Sequence, residues 1–277
     1  MSARDALRDG DLDRALGILQ NEVRASPDDP RQRIFLFQLL SVLGQWDRAM
    51  TQLGVIRDLD AGSVPMSRTY QEVIRCEILR RGVFAGERSP MILGDPEPWM
   101  AQLVEALRIS KQGDAGASQK LRDQALEVAP TSGGKLAVAA DPALSAGESE
   151  ASFSWIADAD TRLGPLLEVI LNGKYYWVPF QRIARIDIDA PSDLCDIVWL
   201  PARFLWTNKG QAVGMIPTRY PGSEENDNGQ IRLARLTEWR QANEEVYEGI
   251  GQRILATDEG EYPLLNVRRI EFAESSD

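Results

Sequence analysis

Apolar residues recur at helical spacing through the first half of the chain and at strand spacing through the second. The run PRQRIFLFQLLSVLGQ puts Ile34, Phe35, Phe37, Leu39, Leu40 and Leu43 into one apolar helix, and PMSRTYQEVIRCEILRRG adds another through Tyr70, Val73, Ile74 and Ile78. The segment GDLDRAL, Gly10 to Leu16, returns as GQWDRAM, Gly44 to Met50, and the same offset aligns Leu19 with Leu53. That spacing is the tetratricopeptide period, in which a glycine ends one helix and an alanine lets the next pack closely. A weaker echo is GDAGAS, Gly113 to Ser118; Pro27 and Pro130 stand equally far beyond Gly10 and Gly113, each after a helix-like stretch that a proline would stop. These patterns predict about six or seven helices between residues 2 and 129, stacked as hairpins, with SPDDP (Ser26 to Pro30) as a capped turn.

Helical periodicity stops at APTSGGKLAVAADPALSAGESE, Ala129 to Glu150, which reads as a connector. Beyond it GPLLEVILNGKYYWVPF holds two apolar runs joined by Asn172-Gly173, the dipeptide suited to a two-residue hairpin turn. Further strands are expected in RIARIDID, LCDIVWL, ARFLW and AVGMI around TNKGQ, IRLARL, and QRILA and LLNVRRIEF around TDEGEYP. TEWRQANEEVYEGIG is read as holding a short helix. The expected fold class is α+β. A tetratricopeptide-like helical repeat domain covers residues 1–130, a linker 131–150, and a mainly antiparallel β domain 151–277.

Composition narrows the chemistry. Of 277 residues none is histidine, which removes Ser-His-Asp and Cys-His nucleophiles, histidine-bound zinc and the commonest general base near neutral pH. The formal charge of −11 offers no basic field for nucleic acid or an anionic membrane, and both are poor candidates as partners. Cys76 and Cys195 are too few and too far apart for a disulfide framework or a zinc site and are read as reduced, buried thiols. No apolar leader and no run long enough to span a bilayer is present, so a cytoplasmic location is expected.

Three groups of residues were candidates for function. PTRYPGSEE, Pro217 to Glu225, has Arg219 but neither the glycine spacing nor the lysine of a phosphate loop. It is expected to be a rigid structural loop of Pro217, Arg219, Pro221, Gly222 and Glu224, with Glu224 or Glu225 pairing with Arg219. Asp158 and Asp160, and again Asp187 and Asp189, stand two apart as paired carboxylates, yet no calcium-loop pattern surrounds them. Five of the seven tryptophans, Trp155, Trp177, Trp199, Trp206 and Trp239, fall in the second half, where they either fill a small core or anchor an interface.

The ordered motifs WIADADTRLGP, LNGKYYWVPFQRI, DIVWLPA, IPTRYPGSE, LARLTEW and GQRILATDEGEYPLLNVRRIE, preceded by GDLDRAL, resemble the ImpE/SciE (TagJ) accessory proteins of bacterial type VI secretion over nearly the whole chain. The resemblance implies a non-enzymatic cytoplasmic adaptor without cofactor or metal. It implies as partner the N-terminal helix of the small sheath subunit TssB, and through it a connection to the recycling ATPase ClpV. Helix-in-groove recognition is expected, with acidic rims selecting basic flanks. The expected contacts are Tyr175, Tyr176, Trp177, Trp199 and Trp206 of the β domain. The alternatives are a tetratricopeptide co-chaperone for secreted effectors and a carboxylate-dependent hydrolase acting through Asp158, Asp160 or Arg219.

Overall fold

The computed structural model describes residues 2–140, 148–241 and 247–273. Seven helices come first: α1 (Ala3–Asp9), α2 (Leu12–Ala25), α3 (Pro30–Val42), α4 (Trp46–Leu59), α5 (Val64–Phe84), α6 (Pro98–Lys111) and α7 (Ala115–Val128). Their starts are written in the sequence. Ser2 and Asp5 form a reciprocal capping box, and the side chains of Asp11, Asp29 and Asp114 each accept a backbone N–H of the helix that follows. Each of α1 to α5 packs on its neighbour in sequence, and α6 packs on α7.

The strands are β1 (Met91–Ile92), β2 (Gly134–Ala139), β3 (Glu148–Phe153), β4 (Ile156–Asp158), β5 (Leu166–Leu171), β6 (Lys174–Pro179), β7 (Ile183–Ile188), β8 (Trp199–Trp206), β9 (Gln211–Pro217), β10 (Thr237–Gln241), β11 (Tyr247–Gly251), β12 (Ile254–Thr257), β13 (Glu261–Pro263) and β14 (Val267–Phe272), with a one-turn helix α8 (Gly229–Arg232) before β10. Nine of them form one sheet in the order β1-β6-β5-β9-β8-β7-β14-β2-β3. Every pairing in it is antiparallel except that of β1, which joins β6 from within the helical half. Asn172 and Gly173 both take positive φ between β5 and β6, the turn that dipeptide predicts.

The large sheet is rolled. Four strands separate β6 from β14 in the sheet order, which in a flat sheet would hold them about 24 Å apart. Yet the rings of Phe180, just past β6, and Phe272 on β14 lie 5.8 Å apart. The inside of the roll is a core of Leu167, Val169, Val178, Ile186, Phe204, Ile216, Val267 and Ile270. The outer face of β5 and β6 carries Leu166, Ile170, Tyr175 and Trp177, and these share a second core with Leu39, Leu40, Val73 and Ile74 of the helices.

Four expectations need correction. In LCDIVWL only Trp199 and Leu200 enter a strand, and Leu194 to Val198 form turns closed by N–H groups of Val198 and Trp199 donating to the Cys195 carbonyl. Within the stretch read as a connector, Gly134–Ala139 pairs with both β14 and β3, because its alternation of apolar residues fits a sheet position whose partner comes from the far end of the chain. The IRLARL segment is a helical turn capped by Asn228, with Ala234 at positive φ, in place of a strand. Thr237–Gln241 and Tyr247–Gly251 form a two-stranded ribbon, and the intervening part of the expected short helix lies outside the described residues.

Candidate docking surface

Alternation along β6 decides the fate of the expected aromatic contacts. It turns Tyr175 and Trp177 toward the helices, where both are fully buried, and Trp199 at the start of β8 joins them. Trp199 is enclosed by Tyr70 and Trp46 from the helical half, at ring distances of 5.9 and 5.8 Å. These three residues are core and cannot meet a partner. Tyr176 and Trp206 are half-buried: Tyr176 leans on the core inside the roll, and Trp206 stacks on Phe204 at 5.0 Å.

The polar atoms of these rings lead to a buried charge cluster between the two halves. Trp177 Nε1 donates to the Tyr175 hydroxyl at 2.7 Å, and that hydroxyl donates to Glu168. Arg80 of α5 reaches across to Glu168 on β5 with Nε at 2.6 Å and Nη2 at 3.0 Å, and its Nη1 donates to Glu77 at 2.7 Å. Glu77 also accepts the Trp199 indole N–H at 2.9 Å. On the other side Arg253 pairs with both Glu168 and Asp158. Burial disfavours the charge on Glu168, but Arg80 and Arg253 outweigh it and hold the carboxyl down at about 2. At Asp158 burial wins over Arg253 and lifts the carboxyl to about 6.

The PTRYPGSE loop belongs to the same junction. Arg219 is buried and its guanidinium donates to the carbonyls of Val42, at 2.8 Å, and Arg232. Its own carbonyl accepts from Arg80 at 2.7 Å. The expected pairing of Arg219 with Glu224 or Glu225 is replaced by carbonyl contacts, and Glu225 pairs with Arg81 of α5 instead. Pro217 accepts from Arg253 Nε at 3.0 Å, and Gly222 takes a positive φ where the chain turns. Pro221 lies between Tyr220, whose hydroxyl donates to Asp158 at 3.0 Å, and that turn. Glu224 packs against Gly44 at the end of α3. The loop therefore clamps the sheet to the helices.

These groups are enclosed by the protein. Asp158, Asp160 and Arg219 are all buried, and the two aspartates accept from Arg253, Arg162 and Tyr220 within the protein. Asp187 and Asp189 lie at the surface and pair with Arg185, Arg269 and Arg203. Sequence reasoning missed Arg80, Glu77, Glu168 and Arg253. The available signal was Glu168 itself, a carboxylate inside LLEVIL, where every residue is buried.

Open surface lies elsewhere, on one side of α1. A cleft of about 530 Å³ is bounded by Arg4 of α1, by Arg31, Ile34, Phe35 and Gln38 of α3, and by Ser192 to Leu194. A neighbouring cleft of about 490 Å³, mainly apolar, is bounded by Leu7, Pro191, Leu194, Ile197, Leu233 and Leu265, with Arg235 at its wall. Leu194 lines both, and helices and sheet half each contribute residues to the pair.

Comparison with known proteins places the chain. The ImpE protein family matches residues 150–271. The type VI secretion system accessory component TagJ of Pseudomonas aeruginosa is 46% identical over 98% of this chain and 91% of its own length. The chain belongs to the ImpE family. The crystal structure of protein VPA1032 from Vibrio parahaemolyticus is similar throughout, with a TM-score of 0.85 and 26% identity over 99% of this chain and 98% of that one. The ImpE match takes in Asp158, Glu168, Arg253 and the PTRYPGSE loop, whereas Arg80 and Glu77 lie outside it and within the longer TagJ match.

Proposed function

We propose that the protein is a non-enzymatic accessory component of a type VI secretion system, acting in the cytoplasm by binding another protein. The observation that carries this reading is the 46% identity to TagJ along 98% of the chain. The finer reading is that it binds the N-terminal helix of the small sheath subunit TssB and thereby connects the sheath with ClpV. Two features of the fold support action through a surface. The charge cluster around Glu168 is buried and paired within the protein, and the cleft beside Leu7 and Leu265 is mainly apolar.

The helical half, residues 1–130, is read as tetratricopeptide-like. Gly10 and Gly44, one period apart, both take positive φ, at the ends of α1 and α3, and so occupy equivalent hairpin turns. The sheet half, residues 151–277, is read as its partner in a single adaptor.

The test is capture of purified TssB by the tagged full-length protein, followed by the same capture with TssB lacking its N-terminal helix. Retention of the intact subunit and loss of the shortened one is the expected result. Failure to retain either would refute the TssB assignment. The full chain is required, because the shared core leaves neither half complete alone.

A further inference from the structure

We infer that the paired cleft beside α1 is the docking site for an amphipathic helix whose apolar stripe is flanked by carboxylates. The inference deepens the adaptor reading and takes from it only that a partner helix docks.

The apolar floor comes first. Leu7, Phe35, Ile34, Leu194, Ile197 and Leu265 meet where α1, α3 and the loop before β8 converge. Residues i, i+4 and i+7 of a helix reach along about 11 Å and present one apolar face to such a floor.

Backbone chemistry then selects a helix over an extended peptide. A strand needs main-chain partners, and most of this loop's N–H groups are already engaged. The N–H groups of Ser192 and Asp193 donate to Asp196, that of Cys195 to Asp193, and those of Val198 and Trp199 to the Cys195 carbonyl. Of the other walls, Arg4 and Leu7 lie on α1 and Arg31 to Gln38 on α3, helices whose backbones are paired internally. A helix brings its backbone already satisfied, so it can lie on such a floor without leaving polar groups unpaired.

Charge selects the flanks. The protein carries −11, yet the clefts are lined by Arg4, Arg31 and Arg235 against a single carboxylate, Asp193, which is engaged with the Cys195 N–H at 2.6 Å. Among the described residues no carboxylate forms a salt bridge with any of the three arginines. Arg4 rests over the Phe35 ring at 5.8 Å, and Arg235 donates to the Arg8 carbonyl at 2.9 Å. Burial lowers the Arg235 guanidinium from its usual value with nothing negative to offset it. This rim reverses the sign expected from the acidic composition, and it favours a partner with acidic flanks.

The experiment titrates the full-length protein calorimetrically with three synthetic helices. One is the N-terminal segment of the same bacterium's small sheath subunit. The second is a designed helix with leucine at i, i+4, i+7 and i+11 flanked by glutamates, and the third replaces those glutamates by lysines. Each is repeated with Arg4→Glu/Arg31→Glu, with Leu194→Asp, and with Arg57→Glu on α4 as a control away from the cleft. Both arginines are exposed, so the double variant tests the site even if Leu194→Asp fails to fold. The expected result is binding of the sheath or glutamate helix that weakens at least about tenfold in the two cleft variants, falls with added salt and is unchanged in the control.

Equal binding by wild type and cleft variants, tighter binding of the lysine helix, or no binding of any helix would overturn the inference. Binding of the sheath segment that ignores the cleft variants would overturn the site and leave the adaptor reading standing. Docking of the glutamate helix alone would keep the site and remove TssB.

Discussion

Replacing Arg80 by methionine tests whether the buried charge cluster holds the two halves together. Arg80 is 2% exposed and makes four hydrogen bonds: two to Glu168, one to Glu77 and one to the Arg219 carbonyl. Methionine keeps much of the stem's volume and removes all four. Glu168 then keeps only Arg253 and Tyr175, and Glu77 keeps only the Trp199 indole. Taking one partner from a buried ion pair costs about 3–5 kcal/mol. Summing charge-assisted bonds at about 1.5–3 kcal/mol each would give more, but that sum overshoots because Arg253 continues to neutralise Glu168.

The loss should depend on pH, with a definite sign. In the wild type Glu168 sits at about 2, below its ordinary 4.5, so its stabilising contribution is complete above 4.5 and is lost as pH falls through 2. Without Arg80, burial is opposed only by Arg253 and the Tyr175 hydroxyl, and the folded carboxyl rises. Once it exceeds 4.5 the linkage reverses, and the variant gains stability as the solution is acidified. Urea unfolding of both proteins, followed by tryptophan emission at pH 7 and pH 5, should therefore show a smaller difference at pH 5. Asp158 titrates in both proteins and largely cancels from that difference. Adding Glu168→Gln to Arg80→Met should restore part of the loss at pH 7. A cost below about 1 kcal/mol, the level of a surface pair, or an equal cost at both pH values would refute the reasoning.

Asp158, lifted to about 6, contributes stability that is complete below 3.8 and lost as pH rises through 6, so Asp158→Asn should flatten the rise in melting temperature between pH 7 and 5; an unchanged slope would contradict this. Gly249→Ala places a methyl in steric overlap with two carbons of the Tyr220 ring, which lies against Trp239 at 5.7 Å, and should cost about 1–3 kcal/mol in a chemical unfolding titration; an unaltered midpoint would show that the ribbon gives way freely. Burial raises the Cys76 thiol to about 11 and also raises that of Cys195, so a thiol reagent should label neither in the native protein and both in urea, and rapid native labelling of either would count against this packing.

The parts of this fold legible in the sequence are those set by neighbours along the chain. Asp11, Asp29 and Asp114 start helices where capping chemistry says they should, and Asn172-Gly173 turns the hairpin it announces. Period-two alternation places Tyr175 and Trp177 on one face of β6 but does not say which face α5 covers, and so it cannot separate core residues from contacts. The same limit hid β2, whose partner β14 begins at residue 267. The cleft beside α1 was invisible for a further reason: its floor is assembled from α1, α3 and residues beyond 190, and no single segment carries its pattern.

One long-range feature did leave a local trace. A glutamate in an unbroken buried strand is tolerable only if cations arrive from elsewhere, and Glu168 draws Arg80 from 88 residues before it and Arg253 from 85 after. Such a residue couples the folding of whatever supplies its partners. Cutting the chain before residue 151 would take Arg80 from Glu168 and Glu77 from Trp199, and would uncover Tyr175 and Trp177 together. The sheet half would then expose both an under-neutralised carboxylate and an apolar face. The two halves share this charge cluster and one apolar core, so cutting either away leaves the other with unpaired and uncovered groups.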